Sequence, residues 1–346
     1  MDINKLVRTN IRRLKPYSCA RNEFTGEASC YLDANENPMN SNSPYNRYPD
    51  PLQKALKAKI AKIKHVRPSQ IMLGVGSDEP IDLVMRIFCE PQQDNIVAID
   101  PTYGIYRVCA DINNVEYRKV LLNEDYALDA ERLLAAADGR SKLIFLCSPN
   151  NPTGNLLNRG EMTKVVESFG GIVVIDEAYI DFSPETSWLG MLDRYPNIVV
   201  FQTFSKAWGI AGVRCGMAFA SEEIIGYFNR VKYPYNLNLL TQNFVNEHIE
   251  NESRKNEWVA ALLAQRAWLA SQLAAIPRVL KIYPSDANFL LVKMHDANGI
   301  YQYLVDRGII VRNRNTVSQC EGCLRITVGL PEENAALIRA LKEFSL

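Results

Sequence analysis

The 346-residue chain has no excess of either charge: 39 lysines and arginines stand against 39 aspartates and glutamates. It therefore lacks the overall field on which nucleic-acid and anionic-membrane binders rely, and neither partner is expected. Histidine is scarce, with only His65, His248 and His295. None stands at a zinc-ligand separation from the lone C-x-x-C of Cys320 and Cys323, so no metal is expected. No apolar run approaches the roughly 18 residues of a membrane span, and the opening "MDINKLVRTNIRRLKPY" is too polar and too basic for a signal peptide. A cytoplasmic location is the expectation. The other cysteines, Cys19, Cys30, Cys89, Cys109, Cys147 and Cys215, are scattered, several inside apolar runs where a thiol acts as a small hydrophobe. Reduced thiols are expected, and no repeat or low-complexity tract is present.

What is present is an ordinary globular composition, 47% hydrophobic and 23% charged, long enough for a large domain and a smaller one. The runs "NIVAID", "KLIFLCS", "GIVVIDE", "NIVVFQT" and "CGMAFA" read as buried strands. Amphipathic stretches such as "PIDLVMRIFC" and "NRGEMTKVVESF" lie between several of them. That alternation predicts an α/β fold in which a mainly parallel sheet is covered by helices. From about Leu240 the pattern changes to a long helix, "NEWVAALLAQRAWLASQLAAI", then short strands "NFLLVKM", "IIVRN" and "LRITVG" and a final helix from Pro331. The expected division is a large domain over 41–240 and a small α+β domain over 241–346, with residues 1–40 returning to pack on the small one.

In open parallel sheets, ligands bind beyond the carboxyl ends of the strands. The residues there form a set. After "IMLGV" come Gly76, Ser77 and Asp78 at a helix start; after "NIVAID" come Pro101, Thr102 and Tyr103; after "LIFLC" comes the Ser148–Gly154 loop with Asn151. Asp176 and Tyr179 follow "IVVI", and Ser205 and Lys206 follow "IVVFQT". Singly, Asp176 could be a helix cap, Asn151 a turn residue, Arg214 half of a surface ion pair and Lys206 a solvated lysine. At successive strand ends they match the faces of pyridoxal 5'-phosphate. Lys206 offers an amine for its aldehyde, Asp176 a carboxylate for its ring nitrogen, and Tyr103 an aromatic cover or merely core packing. Backbone N–H groups around Ser77 and Asp78, with Ser205 and Arg214, suit its phosphate, and Asn151 and Tyr179 its phenolate oxygen.

The segments "YLDANENP", "NRYPD", "GVGSDEPIDLVMRIFCEP", "PTYGIY", "CSPNNPTG", "VIDEAYIDF", "TFSKAWGIAGVRCG" and "GCLRITVG" occur in one order over nearly the whole chain. In that order the sequence resembles the histidinol-phosphate aminotransferases, within the aspartate-aminotransferase-like, fold type I family of pyridoxal-phosphate enzymes. The resemblance implies that Lys206 is the Schiff-base lysine, with Asp176 and Tyr179 beside it as catalytic residues and Asn151 touching both cofactor and substrate. It implies phosphate contacts from Ser77, Asp78, Ser205 and Arg214, and a Tyr48 that reaches the neighbouring subunit's cofactor phosphate, hence a homodimer. Arg325 would grip the substrate anion, with Arg312 and Tyr17 at the phosphate of histidinol phosphate, and glutamate with 2-oxoglutarate would be the second pair. At Trp208 and Gly209 the chain departs from the family's usual smaller aromatic, which leaves the flexibility of the lysine turn open.

Other classes fit less well. A nicotinamide-dependent oxidoreductase needs G-x-G-x-x-G, and "GVGSDE" has its third position wrong. A regulator on this fold would carry an added nucleic-acid-binding domain for which there is no room. Within the family, a threonine-phosphate decarboxylase and an aromatic-amino-acid aminotransferase remain as alternatives, because the bond broken at Cα depends on its angle to the ring.

Overall fold

Six strands of the large sheet are apolar enough to be buried, and their two faces are covered by different helices. The computed structural model describes residues 1–18 and 28–344; Cys19 lies outside them. The sheet contains β1 (Ile71–Val75), β2 (Asn95–Asp100), β3 (Glu116–Leu121), β4 (Ser141–Cys147), β5 (Ile172–Asp176), β6 (Ile198–Thr203) and β7 (Cys215–Ala220), in the order β1-β7-β6-β5-β4-β2-β3. Pairing is parallel from β6 through β5, β4 and β2 to β3, and antiparallel where β7 sits between β1 and β6. Alternation splits the side chains between two cores. Leu143, Phe145, Ile172 and Val174 face one layer, whereas Ile144, Leu146, Val173 and Ile175 face the other. Burial on both faces is why these strands read as unbroken apolar runs.

The edge strand β3 escapes that reading. Its sequence "EYRKVL" is half exposed and carries Arg118 and Lys119, charges that suit an unpaired sheet edge and weaken any apolar signal.

Helix α1 (Thr9–Arg13) and the turn before it correct the expectation for the amino terminus. Ile3, Val7 and Ile11 recur every four residues and are buried in the core of α3 (Asp78–Phe88) and α7 (Glu222–Val231), helices of the large domain, after α2 (Lys54–Lys64) in the same layered body. Arg8 fastens the segment by donating to the Arg86 carbonyl at 3.0 Å and pairing with Glu90 at 3.2 Å. These residues therefore pack on the large domain, not on the small one. Helices α4 (Ile105–Ile112), α5 (Ala130–Ala135) and α6 (Arg159–Ser168) complete the layers.

The expected domain boundary also moves. Helix α8 (Leu239–His248) still buries Val245 in the large core, and the small-domain core begins with Leu269 in the 23-residue helix α9 (Glu252–Ala274). That core packs α10 (Ala297–Asp306) and α11 (Pro331–Glu343) on an antiparallel sheet ordered β10-β11-β9-β8. Its strands are β8 (Val279–Ile282), β9 (Phe289–Met294), β10 (Arg312–Asn313) and β11 (Cys323–Thr327). Cys320 and Cys323 are both fully buried in the packing between the domains.

Candidate active site

Asp176 is the last residue of β5, where the chain leaves the sheet, and only 2% of it is exposed. Burial raises its proton affinity above the ordinary carboxylate value, and hydrogen bonds oppose that. The phenol of Tyr106, wholly buried in α4, donates to Oδ2 at 2.6 Å, and the backbone N–H of Ala178 donates to Oδ1 at 3.1 Å. Tyr106 is held by Phe145, with ring centroids 4.7 Å apart, and by an edge contact to Tyr103.

Lys206 follows β6 on a turn braced by its neighbours. The Ser205 N–H donates to Thr203 Oγ1 at 3.1 Å, and the Gly209 N–H closes back on the Lys206 carbonyl at 3.0 Å. Gly209 has φ +68°, a conformation that glycine takes without strain. Trp208 is buried edge-on to Phe204, and its carbonyl accepts from His248 Nε2 at 3.0 Å. The Trp–Gly pair thus anchors this turn. Lys206 Nζ lies 5.5 Å from the centre of the Tyr179 ring. Burial, followed by the field of Arg325, pushes its proton affinity down, against the pull of Asp176.

The start of α3 supplies the third wall. Asp78 accepts from Arg214 Nη2 and from the Tyr103 hydroxyl, each at 3.2 Å, so its carboxylate orients two other groups. The backbone N–H groups of this first turn and the Ser77 hydroxyl, which makes no cap hydrogen bond, are left to meet an anion. Gly76, at φ +68°, lets the chain pass the Arg214 guanidinium; a Cβ there would sit 2.4 Å from its Nη2.

The small domain closes the cavity with arginines. Arg312 and Arg325 are direct cross-strand partners on β10 and β11, and Arg314 lies two residues beyond Arg312. Arg325 Nη1 donates to Asn151 Oδ1, and its guanidinium lies 5.2 Å from the Phe289 ring centre. Burial lowers the proton affinity of Arg325, and that of Arg314 falls to about 10 through burial and the nearby Arg325 and Arg312. Among the described residues none of the three is in an ion pair. Nε of Arg314 and Nε of Arg325 are buried without a partner. Like charges set directly opposite on a sheet repel, so this wall is costly until an anion meets it.

One cavity of about 410 Å³ collects these groups: Ser77, Asp78, Tyr103, Asn151, Asp176, Tyr179, Ser205, Lys206, Arg214, Arg312, Arg314 and Arg325 all line it. An amine, a buried carboxylate and a bank of guanidiniums in one enclosure suit transfer chemistry on an anionic amine. The sequence pattern of aminotransferase classes I and II matches residues 20–341. The chain belongs to the class I and II aminotransferases.

Relatives of this aminotransferase include the histidinol-phosphate aminotransferase of Bacteroides fragilis strain YCH46, 58% identical over 99% of both chains. The histidinol-phosphate aminotransferase of Parabacteroides distasonis is 55% identical over 100% of this chain and 99% of its own. The crystal structure of histidinol-phosphate aminotransferase from Clostridium acetobutylicum superposes with a TM-score of 0.80, covering 86% of this chain and 90% of that one. At 22% identity that likeness speaks for the fold alone.

Two residues that the sequence pointed to lie elsewhere in this aminotransferase. Tyr17 is 69% exposed. Tyr48 stacks on Tyr235 with centroids 4.5 Å apart, beside a second cavity of about 530 Å³. Two others were missed. Tyr106 stands three residues after Tyr103 in "PTYGIY", a helical spacing that would have suggested one face. Arg314 stands two residues after Arg312, the spacing that places both on one face of a strand.

Proposed function

We propose that this aminotransferase moves an amino group between L-histidinol phosphate and 2-oxoglutarate, giving imidazole acetol phosphate and glutamate, as a step of histidine biosynthesis. The observation that carries the proposal is a single cavity with Lys206 and Asp176 on one side and three guanidiniums without carboxylate partners on the other. The histidinol-phosphate aminotransferases that share 58% and 55% of its residues support the same substrate.

The residues suit pyridoxal 5'-phosphate as cofactor by their own chemistry: an amine, a buried acid, and an anion cradle at a helix start. When bound, it supplies an aldehyde for the substrate amine and a ring that accepts the electron pair left at Cα. Asp176 would hold a proton on the ring nitrogen, and the Tyr106 hydrogen bond favours the ionised carboxylate needed for that. Lys206, its proton affinity lowered, would take the proton from the substrate Cα and return it to the carbon on the far side of the substrate nitrogen. Burial keeps the Tyr179 phenol protonated as a donor, and Asn151, whose Oδ1 is taken by Arg325, keeps its Nδ2 for the ring oxygen. Ser77, Ser205, Arg214 and the first N–H groups of α3, that of Asp78 included, would hold the cofactor phosphate, and Tyr103 would cover the ring. Arg325 and Arg312 would hold the substrate anion; Tyr17, exposed and outside the cavity lining, is left out of that set.

A homodimer belongs to the same proposal. Tyr45, Tyr48 and Leu240 are more than half exposed around the second cavity, an apolar face that a second copy would cover. Tyr48 would then reach the neighbouring cofactor phosphate. A cytoplasmic location is proposed with it, in keeping with seven free thiols among the described residues.

The test is the purified holoenzyme with histidinol phosphate and 2-oxoglutarate. Stoichiometric glutamate without carbon dioxide release is the expected result. Carbon dioxide release from threonine phosphate, or faster turnover of an aromatic amino acid than of histidinol phosphate, would overturn the proposal in favour of one of the two neighbouring activities.

A further inference from the structure

Arg314 is not among the residues that the sequence motifs single out, yet it lines the cavity beside Arg312 and Arg325. Its backbone N–H donates to the Cys323 carbonyl at 2.9 Å, so the pairing of β10 with β11 continues one residue past the strand. Residues 312 and 314 therefore share a face. Asn313 points the other way, where its amide donates to Asn298 Oδ1 at 2.8 Å.

The Arg314 side chain has no structural partner among the described residues. Its guanidinium makes no hydrogen bond to any described residue, and its Nε is buried without a partner. A structural arginine in a half-buried position is normally repaid by a carboxylate or a carbonyl. Here two further guanidiniums crowd it. Arg325 already gives one N–H to Asn151, whereas Arg314 has every N–H left to offer.

We propose that Arg314 is a specificity-determining residue that grips the substrate phosphate and gives phosphate monoesters their advantage over carboxylates in this cavity. The proposal rests on the transamination reading above and assigns to one residue a preference which that reading leaves undivided. The chemistry follows from counting acceptors. A phosphate monoester brings three acceptor oxygens and a charge of about −1.5 to −2 at pH 7. A carboxylate brings two oxygens and one charge, which two guanidinium forks already satisfy. A third guanidinium is useful only to the group with a third oxygen.

The experiment compares two competitive inhibitors on the holoenzyme, whose cofactor phosphate site is filled: inorganic phosphate and the dicarboxylate glutarate. Arg314→Gln is expected to raise the inhibition constant for phosphate by about tenfold or more, the cost of one charge-assisted contact, and that for glutarate by less than about threefold. Arg314→Lys keeps the charge without the fork and should fall between wild type and the glutamine variant for phosphate. In wild type, phosphate inhibition should strengthen between pH 6 and 8 as the dianion forms, and Arg314→Gln should flatten that rise; a change of shape alone would not. Equal losses for both inhibitors, a larger loss for glutarate, or no loss would overturn the proposal. Should the glutamine variant not fold, the same ratio measured on Arg314→Lys decides. Should wild type make no glutamate from histidinol phosphate, the function proposed above fails, while phosphate and glutarate titrated directly against the holoenzyme by calorimetry still test Arg314 through the same ratio of affinities.

Discussion

Replacing Tyr106 by phenylalanine removes one oxygen beside Asp176 and leaves the ring packed on Phe145. The lost contact is a 2.6 Å hydrogen bond to a carboxylate that is 2% exposed, with one backbone N–H remaining on the other oxygen. Hydrogen bonds to charged groups contribute about 1.5 to 3 kcal/mol. Without that contact the proton affinity of Asp176 rises further. Burial already raises that affinity, and the Tyr106 bond is the largest influence holding it down. The direction is therefore fixed: Tyr106→Phe makes the carboxylate protonate at higher pH, where it no longer holds the ring nitrogen charged. In the holoenzyme, kcat should fall about ten- to hundredfold at the acid end of its pH profile and recover as pH rises, so that the acid limb moves to higher pH than in wild type. The affinity of the apoenzyme for pyridoxal phosphate should weaken by about tenfold. Asp176→Asn provides the control, since its loss of kcat has no titrating group and no pH rescue. A Tyr106→Phe enzyme with normal kcat, an unshifted pH profile and unchanged cofactor affinity would reduce the contact to core packing and refute the argument.

Lys206→Ala should abolish the borohydride-reducible absorbance band and nearly all turnover while cofactor is still retained through its phosphate; reduction of wild type that labels another lysine would refute the assignment. Arg325→Ala should weaken both half-reactions by about ten- to hundredfold, whereas Arg312→Ala should weaken histidinol phosphate more than glutamate. Single-turnover measurements of each half-reaction separate the two, and equal losses in both variants would reject that division. Lys57 is buried in α2 with its proton affinity lowered to about 8 from 10.5, by burial and then by Lys232. Between those pH values the unfolded chain binds the extra proton, so stability should rise with pH across that window, by up to about 3 kcal/mol for this group. Lys57→Met should raise stability below pH 8 and reduce that slope in urea unfolding; an unchanged slope would show that the lysine stays charged when folded.

The grouping of polar residues in the cavity was legible because each sits at or just beyond the end of a strand, where an unbroken apolar run stops and the polar group follows within a few positions. Lys206, Asp176, Asn151 and Ser77 needed only that local rule. The lysine turn was legible as a turn, but Trp208 and Gly209 became intelligible only with Phe204 and His248 around them. What no local pattern contains is contact across distance. Tyr106 meets Asp176 over 70 residues of chain, and Arg325 meets Asn151 over 174. The strand that carries Arg312 ends at Asn313, so the two-residue spacing to Arg314 acquires meaning only once the Arg314 N–H is seen to pair on with the Cys323 carbonyl. The amino-terminal segment was recognisable as amphipathic material but not as a partner of α3 and α7, because an apolar stripe specifies that it will be buried and not by what. The motifs at the strand ends thus pointed to the cofactor and to the side chains that gather in one cavity. The tertiary structure decided which arginines face that lysine and which phenol steadies its carboxylate, since only folding brings separate strands and helices within hydrogen-bond reach.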